Sequence, residues 1–514
     1  MNGAQALLNS LVDSDIDTCF ANPGTSEMQL VAAIGETAGM RAILCLFEGV
    51  VTGAADGYAR MADRPALTLL HLGAGLSNGL ANLHNARRAG SAVVNIVGDH
   101  ATYHLQYDAP LTSDLEGLAA WTSDWSRVAR SSHDLPQLGA DAVRAAKAGN
   151  GAIATLIAPA DCAWDETDRT VASVLPAVTP TVPPENIDHV AQKLTHERPA
   201  AFFLGGRALR EDCLETLGRI AAASGARLLC QTFPARLQRG AGRVPVERLP
   251  YFAEQATADL QDLGQLVLVG SAAPVSFFAY PEKASWLVPK DCEIITLATA
   301  DDNIPAALEA LAQRLDATEA PQTRSGQFPE LPGEKPLDAE SIGAAMTALM
   351  PPNSIVVDEG VTAGLLVYLM TEGAAPHDWL TLTGGAIGQG LPLALGAAIA
   401  SPQHKIIALQ ADGSAMYTVQ ALWSMVREQT DVTVVLLNNR SYAILAIELE
   451  RVGAGGDNDK TRSLLDLSQP DMDFCAIAAG LGMRATRATT GGEFARHFSD
   501  AMQRPGPCLI EAML

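Results

Sequence analysis

Short apolar runs alternate with longer segments of mixed or small residues along most of the chain. The runs are rich in Val, Ile, Leu and Phe and predict strands at 41–47, 66–72, 92–97, 200–204, 227–230, 266–269, 354–357, 405–409 and 432–437. The segments between them predict helices at 49–61, 76–88 and near 212–223. This alternation indicates an α/β fold with doubly wound, parallel sheets.

Two proline-rich stretches, 175–184 and 320–336, divide this pattern into three parts. A chain of 514 residues is long enough for three domains, each with its own core. We therefore predict three doubly wound parallel-sheet domains at 1–170, 185–318 and 337–514.

Composition narrows the classes of partner. The chain has 35 Lys and Arg against 58 Asp and Glu, a net charge of −23, and no basic stripe, so nucleic acid is not an expected partner. The eight cysteines form no C-x-x-C pair, which indicates free thiols in a reducing, cytoplasmic compartment. No signal peptide is evident, and Gln389 and Pro392 interrupt the glycine-rich stretch 384–400, so we expect no membrane span.

Polar residues follow two apolar runs in the last third of the chain. Asp412-Gly413-Ser414 comes after one run, and Asn438-Asn439 comes after the next. Neighbouring parallel strands present their carboxyl ends at one sheet edge, so side-chain oxygens of Asp412 and Asn439, with the Ser441 carbonyl, can bind one Mg²⁺. Both motifs are also turn signals, and two unrelated turns are the alternative.

Two titratable residues follow apolar runs in the first third. Glu48 precedes a predicted helix, where a carboxylate either interacts with the helix N-terminus or serves a ligand at a strand end. His71 lies near the carboxyl end of the predicted strand 66–72. An imidazole with a pKa near about 6.5 suits proton transfer at neutral pH, although a structural histidine is the alternative.

Together these motifs resemble those of the thiamine diphosphate (ThDP)-dependent decarboxylases and acetohydroxyacid synthases. The family signature is G-D-G followed at a characteristic spacing by N-N; here Ala411 replaces the first Gly. Residues 47–60 resemble the glutamate segment of the family, and 22–25 (N-P-G-T) resemble the N-P-G-S loop of benzoylformate decarboxylase. Residues 384–388 (G-G-A-I-G) resemble the loop that clamps the cofactor.

The resemblance implies a pyrimidine-binding, a central and a diphosphate-binding domain. It implies that Glu48 and His71 are catalytic and that Asp412, Asn439 and Ser441 bind Mg²⁺. The implied contacts with ThDP are Pro23, Glu48, Asn78, Thr362, Gly385, Ile387, Asp412, Gly413, Ser414 and Asn439. The implied reaction is decarboxylation of a 2-oxo acid, with ligation to a second carbonyl compound as a further outcome. The implied assembly is a homodimer or homotetramer with the active site at the subunit interface.

Departures from the family pattern leave the substrate open. The candidate substrate contacts are Thr25, His104, Leu111, Ile444 and Glu448. Thr25 is also explained as a turn-capping hydroxyl. The segment 273–280 lacks the second histidine of benzoylformate decarboxylase, which argues against benzoylformate as substrate. Glu448 stands where that enzyme has an aromatic residue; if buried, its charge disfavours a second substrate carboxylate, and surface exposure is the alternative.

Two other functions stay open at this stage. One is the catalytic subunit of an acetolactate synthase, and the other is a ThDP-binding regulatory or scaffold subunit with little turnover. The motif Gly205-Gly206-Arg207 is too short to decide whether FAD is also bound.

Overall fold

The computed structural model describes residues 1–171, 179–194, 198–454 and 458–514. Residues 175–178 of the first predicted linker lie outside this range. Three sheets organise the fold, and nearly all of their strand pairs are parallel. The predicted α/β class is confirmed.

The first sheet contains β1 (Thr18–Asn22), β2 (Arg41–Leu44), β3 (Ala66–Leu70), β4 (Val93–Asp99), β5 (Trp125–Val128) and β6 (Ile153–Pro159). Its helices are α1 (Gly3–Asp13), α2 (Met28–Glu36), α3 (Glu48–Ala62), α4 (Leu72–Ala89), α5 (Leu115–Thr122), α6 (Leu135–Ala146) and α7 (Ala160–Trp164). The strand order is β2-β1-β3-β4-β6-β5, and every pair is parallel. The predicted strand 41–47 is too long, because β2 ends at Leu44.

The middle of the chain contains β7 (Ala200–Leu204), β8 (Arg227–Cys230), β9 (Leu237–Arg239), β10 (Glu247–Arg248), β11 (Gln265–Val269) and β12 (Glu293–Ala298). Its helices are α8 (Pro184–Lys193), α9 (Glu211–Ser224), α10 (Ala253–Leu260) and α11 (Ile304–Arg314). Five of these strands form a parallel sheet in the order β10-β8-β7-β11-β12. The predicted strands 200–204 and 227–230 are confirmed, because β7 and β8 begin and end at these residues.

The last third contains β13 (Ser354–Glu359), β14 (His377–Thr381), β15 (Ile406–Ala411), β16 (Val432–Asn438), β17 (Arg484–Ala488) and β18 (Cys508–Met513). Its helices are α12 (Ala339–Leu349), α13 (Val361–Met370), α14 (Gly390–Ala400), α15 (Asp412–Ala415), α16 (Ala421–Arg427), α17 (Ala443–Arg451), α18 (Asp459–Ser463), α19 (Phe474–Gly480) and α20 (Gly491–Gln503). The strand order is β17-β18-β16-β15-β13-β14-β9.

The sequence did not predict that β9 leaves the middle sheet. It pairs antiparallel with β14 at the edge of the third sheet. The Arg239 guanidinium lies 3.8 Å from the ring centroid of Tyr368 and 5.2 Å from that of Trp379, so cation–π contacts hold β9 there. The predicted domain boundaries stay a prediction.

Helices α3 and α14 join the first and third sheets through one apolar core. Nearly every residue of α14 is buried, as its uninterrupted apolar sequence requires. The helices approach so closely that a Cβ at Gly396 would lie 1.8 Å from the Ala54 carbonyl oxygen. Among the described residues, no helix combines the length and the apolar character needed to cross a bilayer.

Candidate active site

Glu48 lies at the N-terminus of α3, where Phe47 is the N-cap residue. Its carboxylate is buried and accepts two hydrogen bonds, from Asn22 Nδ2 at 3.0 Å and from Asn78 Nδ2 at 2.9 Å. The helix dipole adds about 0.3–1 kcal/mol in favour of an anion there. Two neutral amide groups therefore fix the position of the Glu48 carboxylate. One of them belongs to Asn78, which was predicted to contact the cofactor and here donates to Glu48.

His71 is oriented by Glu27, which the sequence analysis missed. The His71 Nδ1 atom lies 2.8 Å from Glu27 Oε2, and the fully buried Glu27 carboxylate also accepts from the Gly24 N–H at 2.8 Å and the Ser26 hydroxyl at 2.6 Å. With Nδ1–H donating to Glu27, the Nε2 atom of His71 carries the lone pair and is free for proton exchange. The sequence feature that could have indicated this partner is Glu27 itself, an acidic residue two positions after Thr25 in the N-P-G-T loop.

The predicted residues around His71 lie on loops at one edge of the first sheet. Asn22 ends β1, and His71 and His100 directly follow β3 and β4; these strands are parallel neighbours. Pro23 is half-buried and Thr25 is exposed. The His104 ring lies 5.5 Å from that of His100, on a loop that also carries the exposed Leu111. These side chains border the same open edge.

Asp412 and Asn439 lie at the carboxyl ends of β15 and β16, which pair in parallel. The Asp412 carboxylate is 2% exposed and accepts from the backbone N–H groups of Gly413 and Arg440, both at 2.7 Å. Burial raises the pKa of this carboxyl above its ordinary value, although the backbone hydrogen bonds lower it. Asn439 Oδ1 accepts from the Ser441 N–H at 3.0 Å. Two side-chain oxygens thus converge on one turn.

Asp412 has no cationic side chain in ion-pair contact within the described ranges, so its charge is compensated by backbone dipoles alone. A hard divalent cation prefers such carboxylate and amide oxygens. Ser414 lies in the same turn and accepts a hydrogen bond from Gln410 Nε2 at 2.6 Å. The donor set therefore fits Mg²⁺.

A second group of potential ligands, Asp473, Cys475 and Glu511, lies where the N-terminus of α19 meets β18. Arg487 already pairs with Asp473 at 2.7 Å and with Glu511 at 2.9 Å. Burial raises the pKa of the Cys475 thiol to about 12, which opposes the thiolate that a metal requires. This group is an ion-pair cluster and a poorer metal site than Asp412.

Three other predicted cofactor residues border the third sheet. Gly385 has φ +75° and is exposed, and a Cβ there would meet no atom within 4 Å. Ile387 follows it and is half-buried, as is Thr362 in the first turn of α13. These residues lie after β14 and β13; β13 pairs with β15, and β14 pairs with β13. They share an open edge with Asp412.

Glu448 on α17 does not carry a free charge. Both of its carboxylate oxygens accept from Arg451 Nη1, at 3.0 and 2.8 Å, and Arg451 also pairs with Glu254 of α10 at 2.8 Å. Arg451 is shared between two carboxylates and offsets the Glu448 charge only in part, and the expected repulsion of a second substrate carboxylate stays a prediction. Ile444 lies one turn earlier and is half-buried. The role of both residues in substrate binding stays a prediction.

The predicted residues thus fall into two groups. Glu48 and His71 belong to the edge of the first sheet, and Asp412 and Asn439 belong to the edge of the third. Within the part of the chain that the structure describes, no hydrogen bond or ion pair joins the two groups.

Two family models match the chain. The model described as "Thiamine pyrophosphate enzyme, N-terminal TPP binding domain" matches residues 1–119. The model described as "Thiamine pyrophosphate enzyme, C-terminal TPP binding domain" matches residues 364–512. Thiamine pyrophosphate and ThDP are names of one cofactor. The first range contains Glu48 and His71, and the second contains Asp412 and Asn439.

Two relatives align with nearly the whole chain. "Putative acetolactate synthase large subunit IlvX" of Mycobacterium tuberculosis is 51% identical and covers 100% of this chain and 99% of its own. Benzoylformate decarboxylase of Pseudomonas aeruginosa is 28% identical and covers 96% of each. The solved structure of the ThDP-dependent 4-hydroxybenzoylformate decarboxylase of Rhodococcus jostii RHA1 has a TM-score of 0.86 at 23% identity, with 100% of this chain and 99% of that one covered, and shows the same fold.

Proposed function

Because the chain belongs to the family of thiamine pyrophosphate enzymes, we propose that it uses Mg²⁺ and ThDP to decarboxylate a 2-oxo acid. The product fragment is then released as an aldehyde or joined to a second carbonyl compound. The observation that carries this proposal is the buried Asp412 carboxylate, which lies beside Asn439. Among the described residues, no cationic side chain pairs with this carboxylate.

The residues of both edges fit the cofactor. When bound, ThDP supplies an electron sink that permits loss of carbon dioxide. Asp412, Asn439 and the Ser441 carbonyl would hold Mg²⁺ and, through it, the diphosphate. Glu48 would share a proton with the ring nitrogen of the aminopyrimidine. The remaining proposed contacts are Pro23, Asn78, Thr362, Gly385, Ile387, Gly413 and Ser414.

The three sheets support the proposal of three domains with different roles in cofactor binding. Residues 1–170 would bind the pyrimidine, 185–318 would form the central domain, and 337–514 would bind the diphosphate. The central domain would also complete the third sheet through β9.

Acetolactate synthase is a second candidate function. It is favoured by the name of the relative that is 51% identical along the whole chain. The His71–Glu27 pair favours the decarboxylase instead, because it presents a proton-transfer group at the site edge. A chain without catalysis has no need of Glu48 and its two amide donors, which argues against a purely regulatory subunit.

The test is to incubate the purified protein with Mg²⁺, ThDP and a panel of aliphatic and aromatic 2-oxo acids. Mass spectrometry then follows carbon dioxide and the organic products. We expect at least one acid to lose carbon dioxide, and none to do so with the Asp412→Ala protein run in parallel. Acetolactate formed from pyruvate alone would select the second candidate. No carbon dioxide from any acid would refute the proposal.

We expect the active protein to be a dimer or a tetramer. Glu48 and Asp412 belong to separate edges of one chain, so a symmetric dimer is the simplest way to bring one chain's Glu48 to the other's Asp412. Leu365, Leu366 and Leu369 of α13 expose 52%, 41% and 56% of their surface, an apolar face that suits an interface. Light scattering with activity measured on each fraction checks this, and a fully active monomer contradicts it.

Mixing two inactive variants tests the shared site directly. A hybrid of one Glu48→Gln chain and one Asp412→Ala chain retains one intact site only if each site uses both chains. Random pairing should then recover about a quarter of the parental activity, since half the dimers are hybrids and each has one good site of two. Sites confined to single chains would recover none.

We expect His71→Ala to slow aldehyde release about a hundredfold, and more than it slows loss of carbon dioxide, because a positioned acid–base group is removed. Rapid-quench measurement of both products in a single turnover checks this. His133→Ala is the control: this histidine is half exposed and contacts Thr167 and Asp168, away from the site. Aldehyde release at the parental rate would make His71 structural.

A further inference from the structure

Residues 383–389, here called the clamp segment, contain Ile387 and have neither helical nor strand conformation. A segment of this kind has few backbone hydrogen bonds of its own and depends on outside partners for a fixed shape. His84, Asn82 and Thr418 bond the carbonyls of Gly384 and Gly388. Two buried side chains, Asn85 and Glu359, accept from the backbone N–H groups on either side of Ile387. Neither was singled out by the sequence.

Asn85 of α4 holds the residue before Ile387. Its Nδ2 donates to the Ala386 carbonyl at 2.7 Å, and its Oδ1 accepts from the Ala386 N–H at 3.1 Å. The side-chain amide thus pairs with the backbone of Ala386 as a neighbouring strand would. Asn85 is fully buried, so water does not compete for either bond.

Glu359, the last residue of β13, holds the residues after Ile387. Its buried carboxylate accepts from the N–H groups of Gly388 and Gly390, both at 2.6 Å, and from Gln410 Nε2 at 2.9 Å. Gly390 begins α14, so the carboxylate satisfies donors at a helix N-terminus. Burial raises the pKa of Glu359, and these N–H donors lower it. The same Gln410 amide reaches Ser414 in the Asp412 turn.

Glycines at both ends of the clamp segment permit these contacts. A Cβ at Gly384 would lie 2.5 Å from Asn85 Oδ1, and a Cβ at Gly390 would lie 2.9 Å from the Glu359 Cβ. Asn85 and Glu359 therefore pack closely against the clamp segment near its two ends. Between them Gly385 faces open space.

We propose that Asn85 and Glu359 are positioning residues that fix the backbone on either side of Ile387 before the cofactor binds. Both bind backbone atoms, so they set where Ile387 points and do not themselves touch the cofactor. The inference rests on the proposed function, because Ile387 acts on ThDP only if ThDP binds. Its first consequence, a rigid clamp segment in the cofactor-free protein, is independent of ThDP.

The first experiment measures amide hydrogen exchange of the clamp segment by mass spectrometry on the full chain without cofactor. Asn85→Ala should make exchange in peptides covering 383–390 about tenfold faster, because the segment opens locally. Asn95→Ala is the matched control: Asn95 is equally buried but bonds Thr68 and Thr155 within the first sheet. It should leave those peptides unchanged.

The second experiment measures ThDP affinity by calorimetry and the exchange rate of the ThDP C2 proton by NMR, both with saturating Mg²⁺. A misplaced Ile387 should slow C2 exchange about a hundredfold at full ThDP occupancy in Asn85→Ala. Glu359→Ala should act in the same direction, and Glu359→Gln, which keeps an acceptor oxygen, should lie between it and the parent. Thermal unfolding of each variant confirms that it is folded.

Parental C2 exchange in fully loaded Asn85→Ala would overturn the inference, as would equal slowing in Asn95→Ala. Unchanged amide exchange in the clamp segment of Asn85→Ala would overturn it without reference to ThDP. Failure of the parental protein to bind ThDP would refute the proposed function, and the inference with it. The amide-exchange result separates these cases.

Discussion

Asp412→Ala should abolish retention of ThDP and Mg²⁺. The substitution removes the one charged oxygen ligand of the proposed metal site and leaves Asn439 and the Ser441 carbonyl, both neutral. Loss of a residue that only orients a metal ligand costs 10–100-fold in affinity, so removal of the ligand itself should cost at least about a hundredfold. Calorimetry with Mg²⁺ and ThDP added together measures the change.

Asp431→Ala is the control for this experiment. Asp431 precedes β16 at the opposite edge of the third sheet and pairs with Lys405 at 2.6 Å. Its removal leaves Lys405 with the Ala501 and Arg504 carbonyls as acceptors and should leave cofactor affinity unchanged. Parental affinity in Asp412→Ala would remove the metal assignment and, with it, the observation that carries the proposed function.

Glu48→Gln should separate cofactor binding from cofactor activation. The amide has nearly the same size as the carboxylate and stays between Asn22 and Asn78, but it cannot share a proton with the aminopyrimidine nitrogen. Exchange of the ThDP C2 proton, followed by NMR, should slow by about 10²–10⁴-fold, which is the usual contribution of a positioned acid–base group. ThDP itself should still bind.

Glu309→Gln makes the same chemical change far from either edge, where Glu309 pairs with Arg219 on the surface of the middle sheet. It should exchange the C2 proton at the parental rate. If Glu48→Gln also does so, Glu48 has only a structural role at the N-terminus of α3, the other possibility that its sequence position leaves open.

Asp412→Ala and Glu48→Gln affect different steps, so comparing them separates binding of the cofactor from its activation. Asp412→Ala acts on retention of the cofactor, whereas Glu48→Gln acts on a bound cofactor. Only their combination in hybrid dimers shows whether the two edges of different chains meet. This question matters because the described chain keeps Glu48 and Asp412 in separate groups.

Much of the fold could be predicted from the sequence. The predicted strands 200–204 and 227–230 are confirmed at both ends, because short, mostly apolar runs of this length are typical of buried strands. The pairing of Asp412 with Asn439 was also predictable in outline. Parallel neighbouring strands end at one sheet edge, so residues just after β15 and β16 must lie close together.

The contacts that orient the site could not be predicted. His71 meets Glu27 across 44 residues of sequence, and Asn85 meets Ala386 across 301. The move of β9 into the third sheet depends on the packing of Arg239 on Tyr368, which also joins distant parts of the chain.

The sequence by itself determined which residues end strands and begin helices, and so which residues lie at the sheet edges: Glu48, His71, Asp412 and Asn439. These features depend on local backbone preference and on hydrophobic periodicity. The tertiary structure alone decided which distant side chains Glu48 and His71 contact, because that depends on how the helices and strands pack. Buried polar groups need partners, and only the packed layers determine which partners are within reach.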